Sequence, residues 1–390
     1  MRGGPPDPAT ALGRWRRALA DAGFAAPLPV ERVPLADAAG RVLAEDVAAR
    51  RASPPVAVAA MDGIAVRAAD TVGAPVLIAG GDMAPIDTGA PLPDGFDAVV
   101  RRERVEIDGA GAHVAEAVEP GADVRPVGED IPADAPLLAA GRVLSAFDAA
   151  LFAAAGHADA PVRARPRVAV IPTGDELRSA GEPLEPHHVV DSNGPMLAAQ
   201  AAADGALPAL HSRVPDDPAR LAEEVMRAVL VSDLVLLVAG SSRGRRDHSR
   251  DVLAELGEVA VDGVAVRPGH PVLLAVVGTT PVIGVPGYPV SAAFTYELFG
   301  QPLLAELLGR PAERTAVPAT LTAAVGGRDD AACMVAVRLE PAEGALRAVP
   351  LARRAGALRA LAGADAYIVV PPGPGLVAGA PVAALRLRDR

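Results

Sequence analysis

Lysine is absent from the 390 residues, so all 37 basic side chains are arginine. With 39 glycines and 39 prolines, that bias reflects a GC-rich coding sequence more than a function. Cysteine is nearly absent too. Cys333 stands alone, which excludes an internal disulfide and a cysteine-based metal cage. Aromatics make up only 3%, so aliphatic side chains must fill the interior. No apolar run approaches the roughly 20 residues of a membrane span, and "MRGGPPDPATALGRWRRAL" has no apolar signal-peptide core. The expectation is a soluble, cytoplasmic protein with no membrane partner. A net charge of -11 argues against nucleic acid, which needs a broad basic surface. It leaves room for a local arginine pocket that holds a small anion.

What is present is ample apolar material, 51% of residues, in a chain long enough for two to four domains. In "DPATALGRWRRALADAG", Leu12, Trp15 and Leu19 share one helical face with arginines opposite, which predicts a docking or domain-bridging helix. From Pro55 to Val143, short apolar bursts ("PVLIA", "DAVVR", "VEI") are punctuated by Gly, Pro and Asp, as in a mostly β domain. Beyond "PVRARPRVAVIPTGDEL" the texture alternates. "VAVI" reads as a strand, "SNGPMLAAQAAADG" as a helix ending at Gly205, and "LPALHSRV" as a strand. "DDPARLAEEVMRAVLVS" follows as a helix capped by Asp217 with Pro218 at its first position, and "LVLLVA" is a buried strand. Such alternation implies right-handed crossovers and a parallel sheet covered by helices. Ligands bind beyond the carboxyl ends of such strands, so the loops after Ile171, Ala239 and Val285 are the expected site. The tail after "PAERTAVPATLTAAV" reads as a small β-barrel or sandwich.

Three loops carry the chemistry. In "AGSSRGRRDHS", Gly240 and Gly244 permit a close backbone approach. Ser241 and Ser242 offer hydroxyls, Arg243, Arg245 and Arg246 add charge, and a helix starts near Ser249. This is an anion pocket, suited to a phosphate, or else an ordinary turn with solvated arginines. It is neither a Walker A loop nor a dinucleotide fingerprint. "PTGDEL" presents Thr173, Asp175 and Glu176, a set able to hold a hard cation or orient water, or to cap a turn. "DSNGPM" places Asp191, Ser192 and Asn193 at a helix start, where capping explains one of the three. "VPGYPVSAAF" fixes a rigid loop, Pro286, Gly287 and Pro289, around Tyr288.

Taken in order, "MDGIAVR", "DTGAPLPDGFDAVVRRE", "VRPVGEDI", "IPTGDEL", "DSNGPML", "VPDDP", "DLVLLVAGSSRGRRD", "VRPGHPV" and "VPGYPVSA" resemble the MoeA family of molybdopterin molybdenumtransferases, related to the gephyrin E domain. The resemblance spans most of the chain. It implies a multidomain α/β and β fold: a MogA-like parallel α/β domain (165–309), an N-terminal β/helical region, and a C-terminal small β-barrel (310–390). The N-terminal region divides into a helical linking domain (1–57 with 144–164) and a β-rich domain (58–143). It also implies a homodimer whose cleft joins the α/β domain of one subunit to the β domain of the other. The implied reaction inserts molybdate into adenylylated molybdopterin, supplied by a MogA-like adenylyltransferase, and releases AMP with Mg2+ present.

By motif, Glu176, Asp216, Asp247, Asp62, Thr88 and Asp130 become the catalytic set, and Glu176 and Asp216 the magnesium ligands. Gly240, Ser241, Ser242, Arg243, Gly244, Asp191, Asn193, Arg267, His270, Pro286, Gly287 and Pro289 become the substrate-binding set. Some positions depart from the family pattern. Ala60 and Ile64 replace serine and tyrosine, and His270 stands for a lysine, which makes the charge there pH-dependent. Tyr288 turns "PGNP" into "PGYP", and Arg245 replaces an acidic or small residue. The alternatives are a tungstate-specific insertase, a non-catalytic pterin-binding or scaffolding homologue, and an adenylyltransferase of the MogA type. Retained acids disfavour the scaffold, and the long β portions disfavour the adenylyltransferase.

Overall fold

A computed structural model of the chain describes residues 4–238, 248–312, 314–342 and 344–387. The chain divides into two compact units, residues 1–29 with 163–390 and residues 30–162.

The first unit is organised by a six-stranded sheet. Its strands are β1 (Arg167–Pro172), β2 (Leu207–Leu210), β3 (Leu234–Val238), β4 (Glu258–Asp262), β5 (Leu273–Val277) and β6 (Thr280–Val285), in the order β2-β1-β3-β6-β5-β4. The neighbours β2, β1, β3 and β6 are all parallel, as the alternating pattern predicts. Strand β5 runs against the others, because only Gly278 and Thr279 separate it from β6 and a two-residue turn makes a hairpin. The period-2 pattern splits each strand between two faces. Val168, Val170, Leu234, Leu236 and Ile283 enter one core, whereas Ala169, Ile171, Val235, Leu237 and Val282 enter the other.

Helices cover both faces. On the first lie α1 (Pro8–Asp21), α2 (Asn193–Ala203) and α5 (Pro289–Thr295). On the second lie α3 (Pro218–Val229) and α4 (Ser249–Leu256). Asp217 caps α3 by accepting from Arg220 N at 2.9 Å, and Pro218 stands at its first position. The N-terminal helix packs onto the sheet. Its Trp15 is fully buried, and the indole Nε1 donates to the Ala275 carbonyl at 2.9 Å.

The C-terminal segment is a closed barrel. Its strands β7 (Ala316–Leu321), β8 (Ala332–Ala342), β9 (Ala345–Pro350), β10 (Ala366–Val370) and β11 (Pro381–Arg386) pair in the ring β8-β9-β7-β11-β10, and β10 returns to β8. Cys333 is buried in its core. The second unit is β-rich. Gly63–Val66 lies between Met83–Ile86 and Ala98–Arg101 in one three-stranded sheet, and Gly111–Val114 lies between Val76–Ile78 and Val105–Asp108 in another. No helix among the described residues is long and apolar enough to cross a membrane.

Candidate functional site

Four segments reach the carboxyl edge of the parallel strands. Residues 173–178 follow β1, and residues 286–289 follow β6 and open α5. Residues 267–272 lead into β5, whose first residue, Leu273, pairs with Gly284 near the end of β6. Residues 191–193 open α2. Of the loop after β3, the residues Gly240, Ser241, Ser242, Arg243, Gly244, Arg245, Arg246 and Asp247 lie outside the described residues.

The loop after β1 differs from its sequence reading in one respect. Thr173 is not exposed: it is 5% accessible, and both its N and Oγ1 donate to the Val238 carbonyl at 3.0 Å. It therefore ties two strand ends together and is unavailable to a ligand. Of the acids nearby, Asp175 and Glu176 are exposed and Asp216 is half-buried. Asp175 and Asp216 face each other across two loops: Asp216 N donates to Asp175 Oδ1 at 3.4 Å, and Asp175 N donates to Asp216 Oδ2 at 3.5 Å. Because Asp217 caps α3, the helix does not engage the Asp216 carboxylate as its cap.

Glu176 is exposed and its carboxylate folds over Gly174. A Cβ on Gly174 would lie 2.8 Å from each Glu176 carboxylate oxygen, and Gly174 holds φ +136, where side-chain-bearing residues are strained. Two arginines not singled out in the sequence brace this acidic loop. Arg213 donates to the carbonyls of Gly174 (3.3 Å) and Asp175 (3.0 Å), and Arg178 donates to that of Asp175 at 3.0 Å. Their signal was adjacency, since Arg178 follows "TGDEL" directly and Arg213 precedes Asp216 by three residues.

At the α2 start the polar residues divide their roles. Asp191 Oδ1 accepts from Gly194 N at 2.9 Å and so performs the capping. Asn193 is 7% accessible, and its Nδ2 donates to the Gly287 carbonyl at 2.7 Å, joining this turn to the proline-glycine loop. Its Oδ1 is buried, with no hydrogen-bond partner among the described residues. An unsatisfied buried acceptor costs about 1–3 kcal/mol, which a bound N–H or O–H donor would recover. Pro286 is buried, Gly287 is exposed, Pro289 is half-buried, and Tyr288 is 66% accessible. Arg267 and His270 are half-buried, and the His270 Nδ1 lies 2.9 Å from the Val264 carbonyl.

In the second unit, the Gly63–Val66 and Met83–Ile86 strands pair with Gly63 opposite Ile86, and this register sets Asp62 beside Thr88. Thr88 N and Oγ1 both donate to Asp62 Oδ1 at 2.7 Å. Those two bonds, the backbone one first, hold the Asp62 carboxyl below its ordinary range. Asp130 is not part of this pair. It stands exposed on a turn held by its N–H to the Ser53 carbonyl at 3.1 Å, near the Arg125–Glu129 ion pair.

Comparison with known proteins covers almost the whole chain. Residues 13–156 match the model of the MoeA N-terminal region (domains I and II), 169–306 that of a probable molybdopterin binding domain, and 318–387 that of the MoeA C-terminal region (domain IV). A molybdopterin molybdenumtransferase 2 from Mycobacterium tuberculosis is 34% identical over 76% of this chain and 81% of its own. A molybdopterin molybdenumtransferase from Synechococcus elongatus is 32% identical over 91% of this chain and 94% of its own. The solved structure of a molybdopterin biosynthesis MoeA protein from Pyrococcus horikosii superposes with a TM-score of 0.85 at 30% identity, covering 98% of this chain and 99% of that one.

Proposed function

The chain belongs to the MoeA family of molybdopterin molybdenumtransferases, and on that footing we propose that it inserts molybdate into adenylylated molybdopterin with release of AMP. It is a transferase of molybdenum cofactor biosynthesis. The observation that supports the finer reading is the pairing, on one sheet edge, of an acidic loop with a buried acceptor that has no partner among the described residues. Asp175, Glu176 and Asp216 supply the acids and Asn193 Oδ1 the acceptor.

Asn193 Oδ1 suits an N–H of the pterin ring. Arg178 and Arg213 stand beside the acidic loop, where they offset phosphate charge. In this reading the exposed Glu176 orients a water molecule. The water oxygen bonds to the adenylate phosphorus, the pyrophosphate linkage breaks, and AMP separates while a carboxylate accepts the proton. Asp175, Asp216 and Glu176 are hard oxygen donors of the kind that bind Mg2+ together with substrate phosphates, so their donor chemistry suits that ion. When bound, it would neutralise charge on the phosphoryl oxygens. The proposal extends to a homodimer and to a MogA-like adenylyltransferase as the source of substrate, with Asp62, Thr88 and Asp130 as further functional residues.

The test is AMP release from adenylylated molybdopterin by the purified protein with Mg2+, comparing molybdate, tungstate and no oxyanion. Release stimulated by molybdate is expected and is abolished in Glu176→Gln without loss of fold. Stimulation by tungstate alone would make the protein a tungstate insertase. Binding without release under all three conditions would leave the non-catalytic reading. Sedimentation of the full chain tests the dimer.

A further inference from the structure

A second polar cluster lies outside the acidic loop. The short strands Leu177–Arg178 and Val189–Val190 pair in parallel and close off the loop of residues 179–188. That loop ends in "EPHH". Its last turn is locked by two reciprocal bonds: His188 N donates to the Glu185 carbonyl at 2.9 Å, and Glu185 N donates to His188 Nδ1 at 3.1 Å. The turn brings the His187 and His188 rings together, tilted by 53° with centroids 4.1 Å apart, and sets His187 Nδ1 3.7 Å from a Glu185 carboxylate oxygen. One nitrogen of each imidazole and one oxygen of Glu185 lie within 4.8 Å of one another.

We propose that Glu185, His187 and His188 form a binding site for a late first-row divalent cation, with zinc as its best probe. Two imidazoles and a carboxylate are the ligand set such ions prefer, whereas Mg2+ favours all-oxygen sites. Binding would draw one His188 nitrogen away from its present partner, Glu185 N or the Arg178 guanidinium, and turn the exposed Glu185 and His187 side chains toward the ion; with Zn–N near 2.0–2.1 Å, the fourth tetrahedral position stays open to water. The strands on either side hold the loop ends in place, which limits the ordering cost of binding.

The Arg178 guanidinium contacts His188 Nε2. It therefore repels a bound dication and competes for the same ring. The site is distinct from the acids at Asp175, Glu176 and Asp216, and it does not depend on the insertase reading.

The experiment uses the full chain, purified without a polyhistidine tag, stripped with chelator and then equilibrated with zinc chloride and excess Mg2+. After gel filtration, equimolar zinc is expected on the wild-type chain and none above background on the His187→Ala/His188→Ala variant, with unchanged circular dichroism. Cobalt(II) should give a tetrahedral visible band that the double variant lacks. Arg178→Ala should retain zinc at lower free concentration than wild type, because a repelling and competing cation is removed. Equal zinc on the wild-type and double-variant chains would overturn the proposal, as would zinc displaced by Mg2+.

Discussion

Gly174 joins two constraints at one atom. Its φ of +136 excludes most side chains, and the Glu176 carboxylate occupies the space a Cβ would take. Gly174→Ala should therefore displace Glu176 as well as strain the backbone by about 1–3 kcal/mol. Urea unfolding should detect that modest cost, and AMP release should fall by more than the stability change explains. A second prediction concerns Thr88, whose backbone and side-chain donors keep Asp62 ionised to lower pH than an ordinary aspartate. For a carboxylate with a depressed folded value, the stabilisation is present above the unfolded value and is lost as pH falls through the folded one. Thr88→Ala removes the hydroxyl donor, so the Asp62 carboxyl should titrate closer to the ordinary range. A carbon-13 NMR titration of Asp62 reads this directly, and an unchanged midpoint would mean that the backbone donor alone sets it.

At the scale of the element, α1 shows how one residue docks a helix. Trp15 supplies both a large buried apolar surface and a donor to Ala275 in β5. Trp15→Ala should cost about 3–5 kcal/mol, as other large aromatic truncations do. Trp15→Phe keeps most of the apolar surface and should cost less, about 1–3 kcal/mol, because a buried hydrogen bond is lost. Denaturant unfolding of the pair separates packing from hydrogen bonding. Helix α2 shows a different dependence. Its own capping needs only Asp191, so Asn193 is left to strap the helix to the loop at Gly287. Asn193→Asp replaces that donor with an acceptor facing the Gly287 carbonyl, and substrate affinity should fall more than helix content.

For the whole molecule, the connection from the α/β domain to the barrel passes through a buried ionic cluster. Arg314, just before β7, bonds Asp204 at 2.8 and 3.0 Å and Glu297 at 2.9 and 3.1 Å, and Tyr296 donates to Asp204 at 2.7 Å. Burial raises the Glu297 carboxyl, and Arg314 opposes that rise. Arg314→Leu would leave two buried carboxylates facing each other, a change that typically costs about 3–5 kcal/mol. Because an acid with a raised folded value binds its proton more tightly when folded, the loss should be larger at neutral pH than near pH 4.5. Thermal melts of wild type and variant at both pH values test the sign.

The sequence by itself determined the periodicities: alternating strands and helices after Arg167, the Asp217 cap, the helical face through Trp15, and the ordered motifs that mark the family. These are local, because hydrophobic spacing and capping chemistry act within a few residues. Only the tertiary structure decided which polar groups remain available. Thr173 read as exposed but is tied to Val238 by the neighbouring parallel strand. Asp175 meets Asp216 from 41 residues away, and Arg213 reaches the same loop through the β2–α3 connection. The antiparallel placement of β5 next to β6 brings Arg267 and His270 to the edge where the other loops end. Such pairings depend on strand order and register, and chain-distant groups carry no mark of them until the sheet is assembled.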